Sequence, residues 1–234
     1  LTSVEPDIME WWYVAGLIIT VYTLTILYLH IRNPEKHLNW DNIDLTDVDF
    51  PSAFAWGVAT ASHQIEGHNQ NNWTQFENSK QLERSGEACD HWNRWKNDFE
   101  LIENLGVGHY RFSIEWSRIE PKMGTWDDTV ISQYSAMIDD LLEKNITPMV
   151  TLHHFSHPIW FEEMGGFTIR DNVNLWVRFS EKMFAEFGDR VKWWCTINEP
   201  AVFTSMGYVL GEFPPGKRSF KLTKAVSRNM MIAH

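Results

Sequence analysis

The chain has 234 residues, 44% of them hydrophobic, with 31 Asp and Glu against 20 Lys and Arg and a net charge of −11. This is enough apolar material for one domain-sized core, which excludes a disordered chain. The acidic balance, with no basic stripe, excludes a nucleic-acid partner, because such binders need clustered cations to displace counterions. Tryptophan is the outlier at 13 residues; indole rings fill cores, and they also stack on the apolar faces of sugars. Cys89 and Cys195 are too few for a disulfide framework, and Cys89, Asp90 and His91 lack the second pair of ligands a zinc site needs. No metal or cofactor is expected. The chain starts at Leu1 and stops at His234 inside a helical pattern, and is expected to be part of a longer protein.

An amino-terminal flank, 1–10, carries Glu5, Asp7 and Glu10. The uncharged run from Trp11 to Leu29 then approaches the ~20 residues that cross a bilayer as a helix, so a single-pass transmembrane helix is predicted over 11–31. Trp11, Trp12 and Tyr13 at one end and Tyr28 at the other suit interfacial aromatic belts. A secretory signal would begin basic, whereas this run is preceded by acids. Asn33 and Pro34 end the helix, and a polar linker over 32–49 follows, with Glu35, Lys36, Asp41, Asp44, Asp47 and Asp49. Arg32 and Lys36 are the nearby cations, and the positive-inside tendency places the following domain in the cytoplasm.

After Pro51 short apolar runs alternate with helix-patterned stretches, the signature of βα units in a parallel sheet. Strands are predicted at Phe54–Thr60, Tyr110–Ile114, Pro148–Leu152 and Val191–Ile197, each apolar enough to be covered on both faces. Helices are predicted at Trp92–Leu105, Thr129–Lys144 and Asn172–Phe187, with another starting near Ser219. In the second, Val130, Ile131, Tyr134, Met137, Ile138, Leu141 and Leu142 recur at helical spacing. Four such units fit half of an α/β (β/α)₈ TIM barrel or, by alternation alone, a doubly wound sheet; the placement of polar residues decides for the barrel. The polar residues fall at strand ends: His63, Gln64 and Glu66 after the first, Arg111 and Glu115 on and after the second. His153 and His154 end the third, and Asn198 and Glu199 end the fourth. In such barrels that rim carries the chemistry.

The segments FAWGVATASHQIEG, ACDHWNRW, HYRFSIEWSRIEP, TLHHFSHPIWF and WWCTINEP, in this order, resemble glycoside hydrolase family 1, the β-glucosidase and β-galactosidase family. The resemblance runs from about Phe50 to His234, and TLHHF, with Phe155 where many members carry Trp, is most like the archaeal branch. It implies a retaining β-glycosidase acting on O-linked β-glucosides or β-galactosides through a covalent glycosyl-enzyme. In that scheme Glu199 is the general acid/base, a task that needs a carboxylic acid still carrying its proton near neutral pH. Asn198 would bond the sugar 2-hydroxyl, and Gln64 and His154 would grip hydroxyls further round the ring. Arg111 would keep the nucleophile ionised, a structural ion pair inside the barrel being the bland alternative. His153, Glu66 and Glu115 match packing or pairing roles better than chemistry.

Retention requires a second carboxylate about 5–5.5 Å from the first, and no ENG-type motif to supply it occurs here. The nucleophile is therefore expected beyond His234, and these residues by themselves are expected to be inactive. The alternatives are a membrane-anchored transglycosylase, which passes the sugar to an alcohol or lipid, and a carbohydrate-binding relative that has lost the reaction.

Overall fold

A computed structural model describes residues 8–34 and 49–234, with side chains from Trp11 onward. Glu5, Asp7, the Glu10 side chain and the linker residues Glu35, Lys36, Asp41, Asp44 and Asp47 lie outside the described residues. The chain divides into two units, Leu1–Ala53 and Phe54–His234.

The first unit contains helix α1, Ile8–Arg32. Its side chains are apolar all round, and the hydroxyls of Thr20, Thr23 and Thr25 donate to the carbonyls of Gly16, Ile19 and Val21 at 2.8 Å each. These threonine hydroxyls are thus satisfied within the helix, as hydrocarbon surroundings require. The stretch Trp11–Arg32 is long and apolar enough to cross a membrane. Asn33 stops it by turning both its backbone and its side-chain N–H onto Leu29 O, at 2.8 and 3.1 Å.

The second unit is a parallel sheet of β1 (Gly57–Ala59), β2 (His109–Ser113), β3 (Thr147–His153) and β4 (Trp193–Ile197), in that spatial order. The connections are α4 (His91–Asn104), α6 (Asp128–Glu143) and α8 (Val173–Phe187), with α10 (Phe220–Ala233) after β4. This is the half-barrel order that the alternation predicts. Shorter elements sit in the loops above the strands: α2 (Ser62–Ile65), α3 (Asn72–Lys80), α5 (Trp116–Ile119), α7 (Ile159–Glu163), α9 (Pro200–Thr204) and a π-turn at Ser205–Leu210.

The first strand is shorter than predicted, because only Gly57–Ala59 pairs with β2. Gly57 is required there: a Cβ would lie 2.6 Å from His109 O. Coverage on both faces is also not what the described residues show. Tyr110, Phe112, Val150 and Leu152 are buried. Gly57, Ala59, His109, Arg111, Met149 and Trp193 instead line an open groove of about 390 Å³ across the sheet. Alternation along each strand therefore divides a helix-covered face from one that carries Arg111.

The core between sheet and helices is aromatic. Trp116 stacks on Phe179 with centroids 4.8 Å apart and meets Trp176 at 5.7 Å. Its indole N–H donates to Glu120 Oε2 at 2.9 Å, which satisfies the polar atom that a buried Trp carries. Phe179→Ala, at a fully buried position, should lower unfolding free energy by about 3–5 kcal/mol in chemical denaturation. Phe184→Ala on the same helix, at 40% exposure, should cost under about 1 kcal/mol, and equal losses would show that the core lies elsewhere.

Candidate active site

The site is built where β4 ends. Asn198 N donates to His153 O at 2.8 Å, extending the β3–β4 ladder by one rung. Glu199 then turns left-handed, φ 42° and ψ 59°, and Pro200 opens α9. A left-handed non-glycine residue costs about 1–2 kcal/mol. The acceptance of Phe203 N by Glu199 O at 3.0 Å helps to hold the turn. The result is an exposed Glu199 whose carboxyl accepts no hydrogen bond among the described residues, at the carboxyl end of a barrel strand.

Asn198 is buried and fixed from both ends. Its Oδ1 accepts a short hydrogen bond from Arg111 Nη2, and its Nδ2 lies 3.4 Å from His154 Nε2. Arg111 also donates from Nε to Thr151 Oγ1 at 2.9 Å and from Nη2 to Cys195 Sγ at 3.5 Å. Among the described residues the guanidinium has no carboxylate partner, so the alternative of a structural ion pair inside the barrel is not found there. Among these residues its charge rests on neutral acceptors from β3 and the end of β4.

Burial, with the Arg111 charge added, lowers the His154 pKa to about 4, so the ring is neutral at neutral pH. With Asn198 Nδ2–H as donor, His154 Nε2 is assigned as the acceptor. Gln64, exposed on α2, and His154 line one cavity of about 300 Å³ together with His63, Trp73, Glu77 and Phe155. Gln64, His154, Asn198, Arg111 and Glu199 are therefore linked by shared cavity, hydrogen bond or chain adjacency.

Residues 46–234 match glycosyl hydrolase family 1. The chain belongs to that family. It is 40% identical over 196 residues to a 1,4-beta-D-glucan glucohydrolase of Thermotoga neapolitana, covering 79% of this chain and 46% of that protein. It is 38% identical over 180 residues to the cytosolic beta-glucosidase of Homo sapiens, covering 71% and 38%. Among solved structures, a beta-glycosidase from Pyrococcus horikoshii matches at 43% identity and TM-score 0.76, over 79% of this chain and 44% of that one. A Thermotoga maritima beta-glucosidase in complex with deoxynojirimycin matches at 41% and 0.76, over 79% and 44%. The chain thus spans less than half the length of these relatives.

Within this family 1 unit, His153, Glu66 and Glu115 sit beneath the rim. His153 is fully buried, edge-on to Phe167, Trp176 and Phe203, and burial holds its ring well below the usual imidazole range. Glu115 accepts from the hydroxyls of Ser62, Ser156 and Ser117 at 3.0, 2.9 and 2.7 Å, which ties β1, β2 and β3 loops together. Glu66 pairs with Arg118 Nε at 3.0 Å and accepts from Tyr134 Oη at 2.5 Å.

Residues that sequence reasoning missed form one wall of the Gln64–His154 cavity. Trp73 stacks on His63 at 5.8 Å, and Phe213 meets Trp73 at 4.9 Å and Phe155 at 5.7 Å. Trp73 Nε1 and Asn72 Nδ2 both donate to Phe155 O at 3.1 Å, pinning the loop after β1 to the loop after β3. The available signal was Trp73 itself, an indole isolated in the polar string QNNWTQ.

Burial outweighs the Arg118 charge at Glu66 and raises its pKa from 4.5 to about 8. The fold therefore binds this proton more tightly than the unfolded chain does. Stability should fall as pH climbs from about 4.5 and level off above about 8. Glu66→Gln should flatten that slope in thermal melts taken across this range; an unchanged slope would assign it to other groups.

Proposed function

We propose that the full-length protein is a retaining β-glycosidase that hydrolyses O-linked β-glucosides or β-galactosides, with Glu199 as general acid/base. The observation that carries this reading is the exposed Glu199 carboxyl at the end of β4, beside an Asn198 whose amide is locked by Arg111 and His154. In the first step Glu199 gives its proton to the glycosidic oxygen as the bond to the anomeric carbon breaks, and a nucleophilic carboxylate takes that carbon. In the second, ionised Glu199 removes a proton from the attacking water, and the sugar leaves the nucleophile with its configuration retained.

We place the nucleophile beyond His234, on a later strand facing Arg111. A guanidinium whose neighbours are all neutral is suited to hold an incoming carboxylate ionised. Asn198 Nδ2 keeps one hydrogen for the sugar 2-hydroxyl once His154 has taken the other. Gln64 and His154 meet further hydroxyls in their shared cavity. Beta-glucosidase relatives at about 40% identity support a glucoside substrate.

The domain reading follows: a flank over 1–10, a membrane helix over 11–31, a linker over 32–49 and half a barrel over 50–234. Support for the anchor is the length and apolarity of Trp11–Arg32, and Arg32 at its end favours a cytoplasmic barrel.

Glu199→Gln in the full-length protein should lower kcat/KM on alkyl glucosides by about 10²–10⁴-fold. It should spare formation of the glycosyl-enzyme from dinitrophenyl glucoside, whose leaving group needs no proton. Equal loss on both substrates contradicts the assignment. The protein should also sediment with membranes and resist carbonate extraction; release into the supernatant removes the anchor.

A further inference from the structure

A cavity of about 480 Å³ in the second unit is separate from the one that Gln64 and His154 share. Helix α3 separates the two. Trp73 and Glu77 line the Gln64–His154 cavity, whereas Gln75 and Phe76 line the larger one. Its other walls come from α7, the π-turn and the loop after it, through Glu162, Tyr208 and Lys217. The volume lies within the roughly 300–1,000 Å³ range of small-molecule sites.

Its polar groups are built but unused. Tyr208 is 1% exposed, yet its hydroxyl makes no hydrogen bond among the described residues. Burial, together with the charge of Glu162, raises that hydroxyl far above the ordinary tyrosine range, so it stays a donor. The hydroxyl oxygen is not sealed off from solvent, so a partner from outside can reach it in the cavity that Tyr208 lines. The side chains of Gln75 and Lys217, both exposed at the mouth, are equally without partners among the described residues.

Glu162 is held rigidly while one of its oxygens stays free. Its Oε2 accepts from His157 Nε2 at 2.8 Å, and His157 Nδ1 lies 3.2 Å from His153 Nε2. Because Nε2 of His157 faces a carboxylate, its Nδ1 is the acceptor and His153 Nε2 the donor. That assignment leaves His153 Nδ1 as an unprotonated, unpartnered nitrogen. Glu162 Oε1 makes no hydrogen bond among the described residues.

We infer that this cavity is a second saccharide site, taking a neutral sugar with its hydroxyls on Gln75, Glu162, Tyr208 and Lys217. The lining combines apolar Pro214, Pro215 and Leu222 with the polar Gln75, Glu162 and Lys217, which suits the mixed apolar and hydroxylated surface of a pyranose. Glu162 and Lys217 bring opposite charges, so an anion would face the carboxylate and a cation would face the ammonium. A neutral polyol, which donates to the first and accepts from the second, satisfies both. The site goes beyond the proposed hydrolytic centre and does not use Glu199, Asn198 or Gln64.

The test is calorimetric titration of cellobiose into the full-length protein saturated with deoxynojirimycin. Weak, saturable binding should persist with the inhibitor present. Gln75→Ala combined with Lys217→Ala, and separately Tyr208→Phe, should weaken it by at least about tenfold while leaving hydrolysis of a nitrophenyl glucoside unchanged. No saturable binding in the presence of inhibitor, or binding that these variants do not alter, overturns the inference. If deoxynojirimycin itself fails to bind, the glycosidase reading is what falls, and the variants' effect on the cellobiose titration alone then decides the cavity.

Discussion

The arrangement of the rim depends on the Arg111 guanidinium. Among the described residues it rises from β2 onto neutral acceptors: Thr151 on β3, Cys195 on β4 and Asn198 just past it. By gripping the Asn198 amide oxygen, the guanidinium fixes which way that amide points, so that Nδ2 rather than Oδ1 faces His154. The same charge adds to burial in keeping His154 neutral. A carboxylate partner on Arg111 would weaken both effects. The barrel face thus keeps a cation in reserve, which is worth more in a partly desolvated setting than the surface ion pairs at Arg190 or Lys182.

The backbone supplies the second constraint. Glu199 and Phe155 both end parallel strands in left-handed conformations, at φ 42° and 68°. Such turns at non-glycine residues persist only where neighbours hold them. Here Phe155 O receives the Trp73 and Asn72 donors, and Glu199 O receives Phe203 N. Loops after β1 and β3 are consequently tied together, with Glu115 and its three serine hydroxyls as a buried knot below them.

Much of this was legible in the sequence, for identifiable reasons. The helices α4, α6 and α8 carry apolar stripes at helical spacing, and the strands β2, β3 and β4 are apolar runs ending in polar pairs; both patterns come from local periodicity. The motifs carried Gln64, Arg111, His154, Asn198 and Glu199 to positions the fold links. What stayed hidden depends on contacts between distant segments. The need for a glycine at position 57 follows from its close approach to His109 across the ladder. The aromatic contacts of Phe213 with Trp73 and Phe155, which line the cavity, join residues up to 140 positions apart (213 − 73), which no window along the chain could pair. The cavity beside Tyr208 arises likewise, from α3 meeting α7 and the π-turn.

The most direct test is azide rescue of Glu199→Ala in the full-length protein, with the product followed by NMR. An acid/base at this position predicts that azide restores turnover of an activated β-glucoside and yields the β-glucosyl azide, because the anion needs no base to attack the glycosyl-enzyme. Absence of rescue, or an α-glucosyl azide, would contradict it.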